Sequence, residues 1–479
     1  MSRGTVLDLC YLVAAITFII ALMGLSSPRH ARRGNLVAVG GMTLAIGATF
    51  AQPSLHHLGW MIGAMAAGTI VAVPTSRFVK MTAIPQLVAI FNGVGGGAAA
   101  LVSITEYLAL TSTTRAPCLF QVVCPPVGGV KAVAVYKILE VVLGVIIGTV
   151  SFSGSAIAFA KLQELMTGRP VTYPAQQVLN AALGVAIVVV GALLLVTGSL
   201  VWLWILLGLA LVLGVAFVLP IGGADVPVLI SLLNSFTGIA VAASGFTIGS
   251  NLLIVAGTLV GASGILLTRM MSAAMGRSLP NILFSAFGSV VTASGSTEAA
   301  DGRSVRSGTA EDIGVLLAYS RKVVIIPGYG LAVAQAQHVV RELADTLKAR
   351  GVEVFFAIHP VAGRMPGHMN VLLAEANVPY DELKEMDEAN PELATADVAL
   401  VVGANDTVNP AAKSSPGSPI YGMPIINADE AANVVFLKRS MRPGFAGIDN
   451  DLLYNDKTVL LFGDAKDTLT ALVAAVKAA

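Results

Sequence analysis

Residues Val323 to Val333 read Val-Val-Ile-Ile-Pro-Gly-Tyr-Gly-Leu-Ala-Val. An apolar, β-branched run ends in two glycines, Gly328 and Gly330, with Tyr329 between them. The alternating apolar and polar segment Ala332 to Arg350 follows at once and stops at Gly351. This order predicts a strand, a tight turn and a helix. Such a turn aims backbone N–H groups and a helix N-terminus at one point, a setting for a phosphate. The spacing matches only part of the dinucleotide pattern, because Val333 stands where a third glycine or alanine is usual. A tight turn without a ligand would read the same.

Three further stretches bear on the same chemistry. The second strand ends Ala357-Ile358-His359-Pro360, with Arg364 shortly after. A domain for NAD usually places Asp or Glu there to hold the ribose 2′-hydroxyl; here there is no carboxylate and there is a cation. Lys438-Arg439-Ser440 follows a later strand. Two cations and a hydroxyl suit a 2′-phosphate, a guanidinium gripping two oxygens at once. Together these features favour NADP(H) over NAD(H), with a solvated basic turn as the plain alternative. Gly403-Ala404-Asn405-Asp406-Thr407-Val408-Asn409-Pro410 closes another strand. Its short hydrogen-bonding side chains suit amides and riboses, and equally suit ordinary Asx turns. Gly463-Asp464-Ala465 ends the last strand at the same edge and reads as the cap of a terminal helix.

The elements that must position these groups follow from periodicity. From Lys322 onward, strand-like runs occur at Val323–Ile326, Val352–Ile358, Asp397–Val402, Pro424–Asn427, Val434–Leu437 and Val459–Phe462. Helical runs lie between most of them and at Asp467–Ala478. Alternating strands and helices predict a parallel, doubly wound, Rossmann-like sheet with ligands at the strand C-terminal ends. Residues 321–479 suffice for one such domain.

The rest of the chain is of another kind. Of the 479 residues, 55% are hydrophobic and only 12% charged, and the mean hydropathy is +0.80. Soluble chains carry about 25% charged residues, so residues 1–287 read as an α-helical membrane bundle. Net charge is +1 and there is no basic block, which argues against nucleic acid. Windows long enough for a ~30 Å hydrocarbon core fall at 5–25, 36–53, 58–75, 85–110, 134–160, 178–197, 200–220, 225–245 and 249–271, about nine spans. The first lacks a clear cleavage site and reads as a retained helix. Arg29, Arg32, Arg33, Arg77, Lys80, Lys161, Arg169, Arg269 and Arg277 fall in loops on one side, against Arg115, Lys131 and Lys137 on the other. The positive-inside rule then puts the N-terminus outside and the C-terminal domain in the cytoplasm. Residues 288–320 are small and polar and read as a linker, with a short helix near Ala310 to Ser320.

Small or polar residues recur at helical spacing, as in Glu140, Gly144, Gly148, Ser151, Ser155 and in Ser231, Asn234, Gly238, Ala242, Gly245. Close helix packing accounts for the glycines. Asn92, Glu140, Asp225 and Asn234 are different, since polar groups inside a span are costly and usually face a cavity or a partner. Asp225 also reads as a helix cap, and Glu140 as a solvated interfacial acid. No histidine falls within a span. Cys10 sits in the first span as a small core residue. Cys118 and Cys124 share one loop and suit a disulfide on an oxidising side. No metal-ligand spacing is present.

The soluble half resembles the NADP(H)-binding domain of proton-translocating nicotinamide nucleotide transhydrogenases. The resemblance rests on Pro327 to Gln337, His359 to Asn370, Gly403 to Pro410 and Lys438-Arg439-Ser440. The membrane half resembles the β subunit of that family through Pro85-Gln-Leu-Val-Ala, Ile221-Gly-Gly-Ala-Asp225, Leu233-Asn-Ser235 and Gly261-Ala-Ser-Gly264. The resemblance implies hydride transfer between NAD(H) and NADP(H) coupled to proton translocation. It also implies that NAD(H) is bound by a partner α subunit, in a dimer of αβ units in the bacterial inner membrane. It places Gly328, Gly330 and Val333 at the pyrophosphate turn, with Tyr329 and Ala334 beside them. Arg364, Lys438, Arg439 and Ser440 would hold phosphates, and Gly403, Ala404, Gly463, Asp464 and Ala465 would complete the cofactor edge. Asn405 and Asp406 would lie near the nicotinamide, Asp406 as the coupling acid. Asn92, Glu140, Asp225 and Asn234 would mark the proton pathway. Asn92 stands where many relatives carry a histidine, so the resemblance points to a histidine from the companion chain. Phe445 stands where some relatives carry a tyrosine over the cofactor. A channel or transporter regulated by a cytoplasmic NADP-binding domain is the alternative.

Overall fold

A computed structural model describes residues 3–25, 30–52, 57–79, 83–113, 135–163, 165–167, 171–222, 225–274, 279, 305–363, 367–415, 418, 420–444 and 448–479. Arg364, Phe445, Cys118, Cys124 and the expected linker up to residue 304 lie outside the described residues. By internal contacts the chain divides into two compact units. One is Met1–Ile221 with Leu229–Thr268, and the other is Gly222–Val228 with Arg269–Ala479.

The first unit is helical. Its elements are α1 (Arg3–Leu25), α2 (Ala31–Phe50), α3 (Leu58–Phe78), α4 (Ile84–Thr113), α5 (Val135–Leu162), α6 (Gln176–Thr197), α7 (Leu200–Val218), α8 (Val226–Ile248) and α9 (Asn251–Ala274). Eight of these are long and apolar enough to cross a membrane. The exception, α2, opens on Arg32, Arg33 and Asn35 and is diluted by Gly40, Gly41 and Gly47. Packing relies on small residues, as lipid favours. On α4, a Cβ added at Gly96 would stand 2.9 Å from the Gly148 carbonyl oxygen of α5, so the two backbones touch. Helices α8 and α9 are stitched by hydroxyls: Ser235 donates to Gly261 O (2.7 Å) and Ser231 to Gly264 O (3.2 Å).

Lys161 corrects an expectation. It is not a solvated loop cation but the second-last residue of α5, with only 3% of its surface exposed. Its Nζ donates to the carbonyls of Val218 (3.3 Å), Leu219 (2.6 Å) and Ile221 (2.6 Å). These carbonyls belong to the last residue of α7 and the turn just after it, at the helix's negative dipole end. A cation is drawn there rather than to water.

The second unit is a six-stranded parallel sheet in the order β3-β2-β1-β4-β5-β6. The strands are β1 (Lys322–Pro327), β2 (Glu353–Ile358), β3 (Leu383–Glu385), β4 (Val398–Val402), β5 (Asn433–Lys438) and β6 (Thr458–Phe462). Side chains alternate between its faces. Val323 and Ile325 join one core with Phe356, Leu400 and Leu437. Val324 and Ile326 join the other with Phe355, Val401 and Phe436. Six helices pack around the sheet: α10 (Ala310–Ala318), α11 (Tyr329–Val333), α12 (Gln337–Ala349), α13 (His368–Glu375), α14 (Met386–Leu393) and α16 (Ala465–Ala478); α15 (Ala411–Ser414) is a single turn. The chain joins this unit before β1: Leu460 N donates to Arg306 O and Gly308 N to Leu460 O. Thr309 and Asp312 then cap α10 reciprocally.

Two expected elements differ. Pro424–Asn427 is buried at Ile425 and Ile426 but is not a strand. Its backbone bonds go sideways, Ile426 N to Thr407 O (3.0 Å) and Asn427 N to Asn390 Oδ1 (3.0 Å). The helix expected to leave the glycine turn directly is broken after α11, where Gln335 takes a positive φ of 50°. It resumes as α12.

Candidate functional site

In this strand order the winding of the sheet reverses between β1 and β4, and ligands of such sheets lie in the crevice there. The structure brings Gly328 and Gly330 of the first turn against Gly403 and Ala404 of the other. Gly328 N donates to Val402 O (2.9 Å) and Gly330 N to Gly403 O (3.0 Å). A Cβ on Gly330 would stand 2.7 Å from Gly403 Cα. Gly403 itself has φ +65°. The glycines therefore serve a backbone-on-backbone contact. Leu331 N is also committed, to Gly328 O, so most of the N–H groups that the sequence aims at a phosphate are spent within the turn. Tyr329 and Ala334 are half-buried beside it and Val333 is exposed.

The polar groups gather at the ends of β4 and β5. Lys438, half-buried, donates to Asn405 Oδ1 (3.1 Å), and Asn405 Nδ2 donates to Asp406 Oδ1 (3.0 Å). Burial pushes the Lys438 ammonium below its ordinary pKa, against the Asp406 and Asp449 carboxylates, which act to raise it. Lys438 has no ion pair within 4 Å among the described residues. Arg439 and Ser440 follow it, both exposed. Gly463 N donates to Lys438 O (3.1 Å), bringing the β6 turn alongside. Asp464 caps α16 by accepting from Lys466 N (3.0 Å).

Sequence reading missed Asn450 and Gly444. Asn450 Nδ2 donates to Asn405 O (3.0 Å), and Asn409 Nδ2 to Asp449 O (2.9 Å). A Cβ on Gly444 would lie 2.6 Å from Asn405 Nδ2. The β5–β6 connection is thus folded onto Asn405 and Asp406, a contact that no local spacing signals.

His359, at the end of β2, offers no charge. Only 1% exposed, its Nδ1 accepts from Val361 N (3.2 Å) and its Nε2 is bonded to Pro424 O (2.7 Å). The proton therefore sits on Nε2. Burial pushes its pKa below the ordinary value, the Pro424 bond opposing. An unfolded histidine titrates near 6.5, so the unfolded chain takes up a proton that the folded one refuses. Stability is then full above about pH 6.5 and is lost as pH falls toward the depressed folded value. Thermal midpoints between pH 7.5 and 5 should fall more steeply in the wild type than in His359→Asn; parallel profiles would count against a buried neutral ring.

In the helical unit Asn92 is buried between α4, α5 and α8. Its Nδ2 donates to Ser155 Oγ (2.9 Å) and Ser151 Oγ (3.3 Å). Ser151 Oγ donates to Leu233 O (2.9 Å) and pairs with Thr237 Oγ1 (2.6 Å). Asn92 Oδ1 is buried and has no hydrogen-bond partner among the described residues. Farther along the same helices, Ser103 and Ser244 pair at 3.2 Å. Glu140 Oε2 is buried without a partner among the described residues. Asn234 is half-buried, next to Leu233; Asp225, buried directly before α8, falls in the segment Gly222–Val228 that is counted with the second unit. Ser151 and Ser155 had a sequence signal, the four-residue stripe they share with Glu140. Thr237, Ser103 and Ser244 had none.

A bundle of helices long and apolar enough to cross a membrane, joined to a doubly wound parallel sheet with cations and amides at its strand ends, defines a membrane protein with a Rossmann-like domain. The comparisons narrow the class. The family model described as NAD(P) transhydrogenase beta subunit matches residues 7–475. Two curated relatives, both NAD(P) transhydrogenase subunit beta from Rhodospirillum rubrum, are each 48% identical over 466 residues, covering 97% of this chain and 98% of theirs. This chain belongs to the NAD(P) transhydrogenase beta subunit family.

Proposed function

We propose that this chain binds NADP(H) along the C-terminal edge of its sheet and, with an α subunit that binds NAD(H), catalyses hydride transfer coupled to proton translocation. The observation that carries the reading is the half-buried Lys438 ammonium, without an ion pair within 4 Å among the described residues, with Arg439 and Ser440 beside it. A partly desolvated cation whose nearest carboxylates stand back from it fits a phosphate oxygen. The cofactor supplies the redox chemistry when bound. The residues of this chain bind and orient it: Gly328, Tyr329, Gly330, Val333 and Ala334 at the first turn, Gly403 and Ala404 at the second. Arg364, Lys438, Arg439 and Ser440 take phosphates, while Gly463, Asp464 and Ala465 close the edge. Asn405 and Asp406 face the reacting end, Asp406 as the acid that senses cofactor state.

In the bundle, Asn92, Glu140, Asp225 and Asn234 mark the proton path. The hydroxyls of Ser151, Ser155 and Thr237 extend it, and the unpartnered Asn92 Oδ1 gives a water or a companion-chain donor a place to bind. Counting α2, nine crossings put the N-terminus outside and the sheet in the cytoplasm of a bacterial inner membrane. Two αβ units form the assembly.

Arg439→Ala tests the reading. Losing a charge-assisted contact of about 1.5–3 kcal/mol should raise the Kd for NADPH roughly 10- to 100-fold and leave NADH binding nearly unchanged. Equal losses for both cofactors would defeat it.

A further inference from the structure

Where α1 begins, α2 ends and α9 begins, the helical unit has a cavity of about 210 Å³, lined by Asp8, Tyr11, Leu12, Ala15, Asn251 and Val255. The α1 residues stand three, four and seven apart, hence on one helical face. Tyr11 is fixed. It accepts from Gln52 Nε2 (3.1 Å) and pairs with Thr49 Oγ1 (3.2 Å). Thr49 gives its own hydrogen to Ala45 O (2.9 Å), so Tyr11 donates in that pair. Asp8 is placed differently. It lies within the apolar window Gly4–Gly24, and its carboxyl has no hydrogen bond or ion pair among the described residues. A carboxyl in such a window is costly unless something pairs with it. The cavity's polar end offers the Asp8 carboxylate and the Asn251 amide, and no cation lines it among the described residues. Its other end, Leu12, Ala15 and Val255, is apolar. Leu9, Val13 and Ile16 of α1 are exposed beside it, a surface for acyl chains.

We infer that this cavity is a lipid site, taking the primary ammonium headgroup of an ethanolamine phospholipid. The ammonium sits on Asp8 and the Asn251 amide oxygen, and the acyl chains descend along Leu12, Val255 and the exposed face of α1. A primary ammonium brings three donors to these acceptors, whereas the quaternary ammonium of a choline lipid brings none. An anionic glycerol lipid would be repelled by Asp8.

Native mass spectrometry of the assembled enzyme, exchanged against defined ethanolamine, choline and glycerol phospholipids, reads this directly. The wild type should retain the ethanolamine lipid about tenfold over either other. Asp8→Asn should erase that preference and Asp8→Glu should keep it. Asn251→Leu should weaken it, and carries the test if Asp8→Asn does not assemble. Equal retention of all three lipids by the wild type, or an unchanged preference in Asp8→Asn and Asn251→Leu, would overturn the inference. So would loss of a companion chain rather than of lipid in Asp8→Asn, which would make Asp8 the partner of a protein cation.

Discussion

Gly403→Ala should lower NADP(H) affinity by two orders of magnitude or more. Two costs coincide at this residue. Its φ of +65° is one that an L side chain adopts at about 1–3 kcal/mol. The added Cβ would also lie 2.7 Å from the backbone N and C of Gly330, and such overpacking costs about 1–3 kcal/mol more. Neither turn can yield easily. Gly328 and Gly403 end β1 and β4, which pair in register from Val323↔Val398 to Pro327↔Val402. The clash therefore opens the crevice or strains the sheet. Fluorescence titration with NADPH reads the loss. Gly351→Ala is the control: its φ is +85°, but nothing lies within 4 Å of the added Cβ. It carries the strain without the clash, away from the crevice, and should leave affinity close to wild type. Similar losses in both variants would show that strain, not the contact of the two turns, governs the site.

Lys161→Met should destabilise the helical unit by about 1–3 kcal/mol, the cost of removing a donor from buried polar groups. Methionine fills the space of the lysine stem but donates nothing. The carbonyls of Val218, Leu219 and Ile221, all bonded to Nζ, would lose that donor together. Lys161→Arg keeps a donor and should recover much of the loss. The thermal midpoint of the detergent-solubilised chain should drop by several degrees for methionine and less for arginine. Limited proteolysis should find the segment just after α7 newly exposed in the methionine variant. A midpoint unchanged in Lys161→Met would mean that these carbonyls are satisfied by other donors, such as Ile221 N on Val218 O and Val171 N on Leu219 O, and that the lysine is incidental.

The legible part of this chain is local. β1, β2, β4, β5 and β6 stand out because buried parallel strands are short runs of Val, Ile, Leu and Phe between turns. β3 does not, being only Leu383-Lys384-Glu385. Pro424–Asn427 looks like a strand because Ile425 and Ile426 are buried, yet apolarity reports burial and not the partner of a backbone N–H. Lys161 looks like a loop charge because a sequence shows that it follows an apolar run and not that three carbonyls at and just beyond the end of α7 surround it. Asn92 is conspicuous as a polar group in an apolar helix. Ser151, Ser155 and Thr237 matter only because α5 and α8 carry them to it.

Residue order alone settled the bilayer-embedded part, the doubly wound sheet, and the glycines, amides and cations at its strand ends, because each follows from periodicity or side-chain chemistry within a few residues. Only the packed molecule decided what those groups do to one another. Gly330 abuts Gly403 across 73 positions of chain, Lys438 meets Asn405, and His359 becomes a neutral buried ring. These outcomes depend on which strands lie side by side and on the water that packing removes, and neither is written in the neighbouring residues.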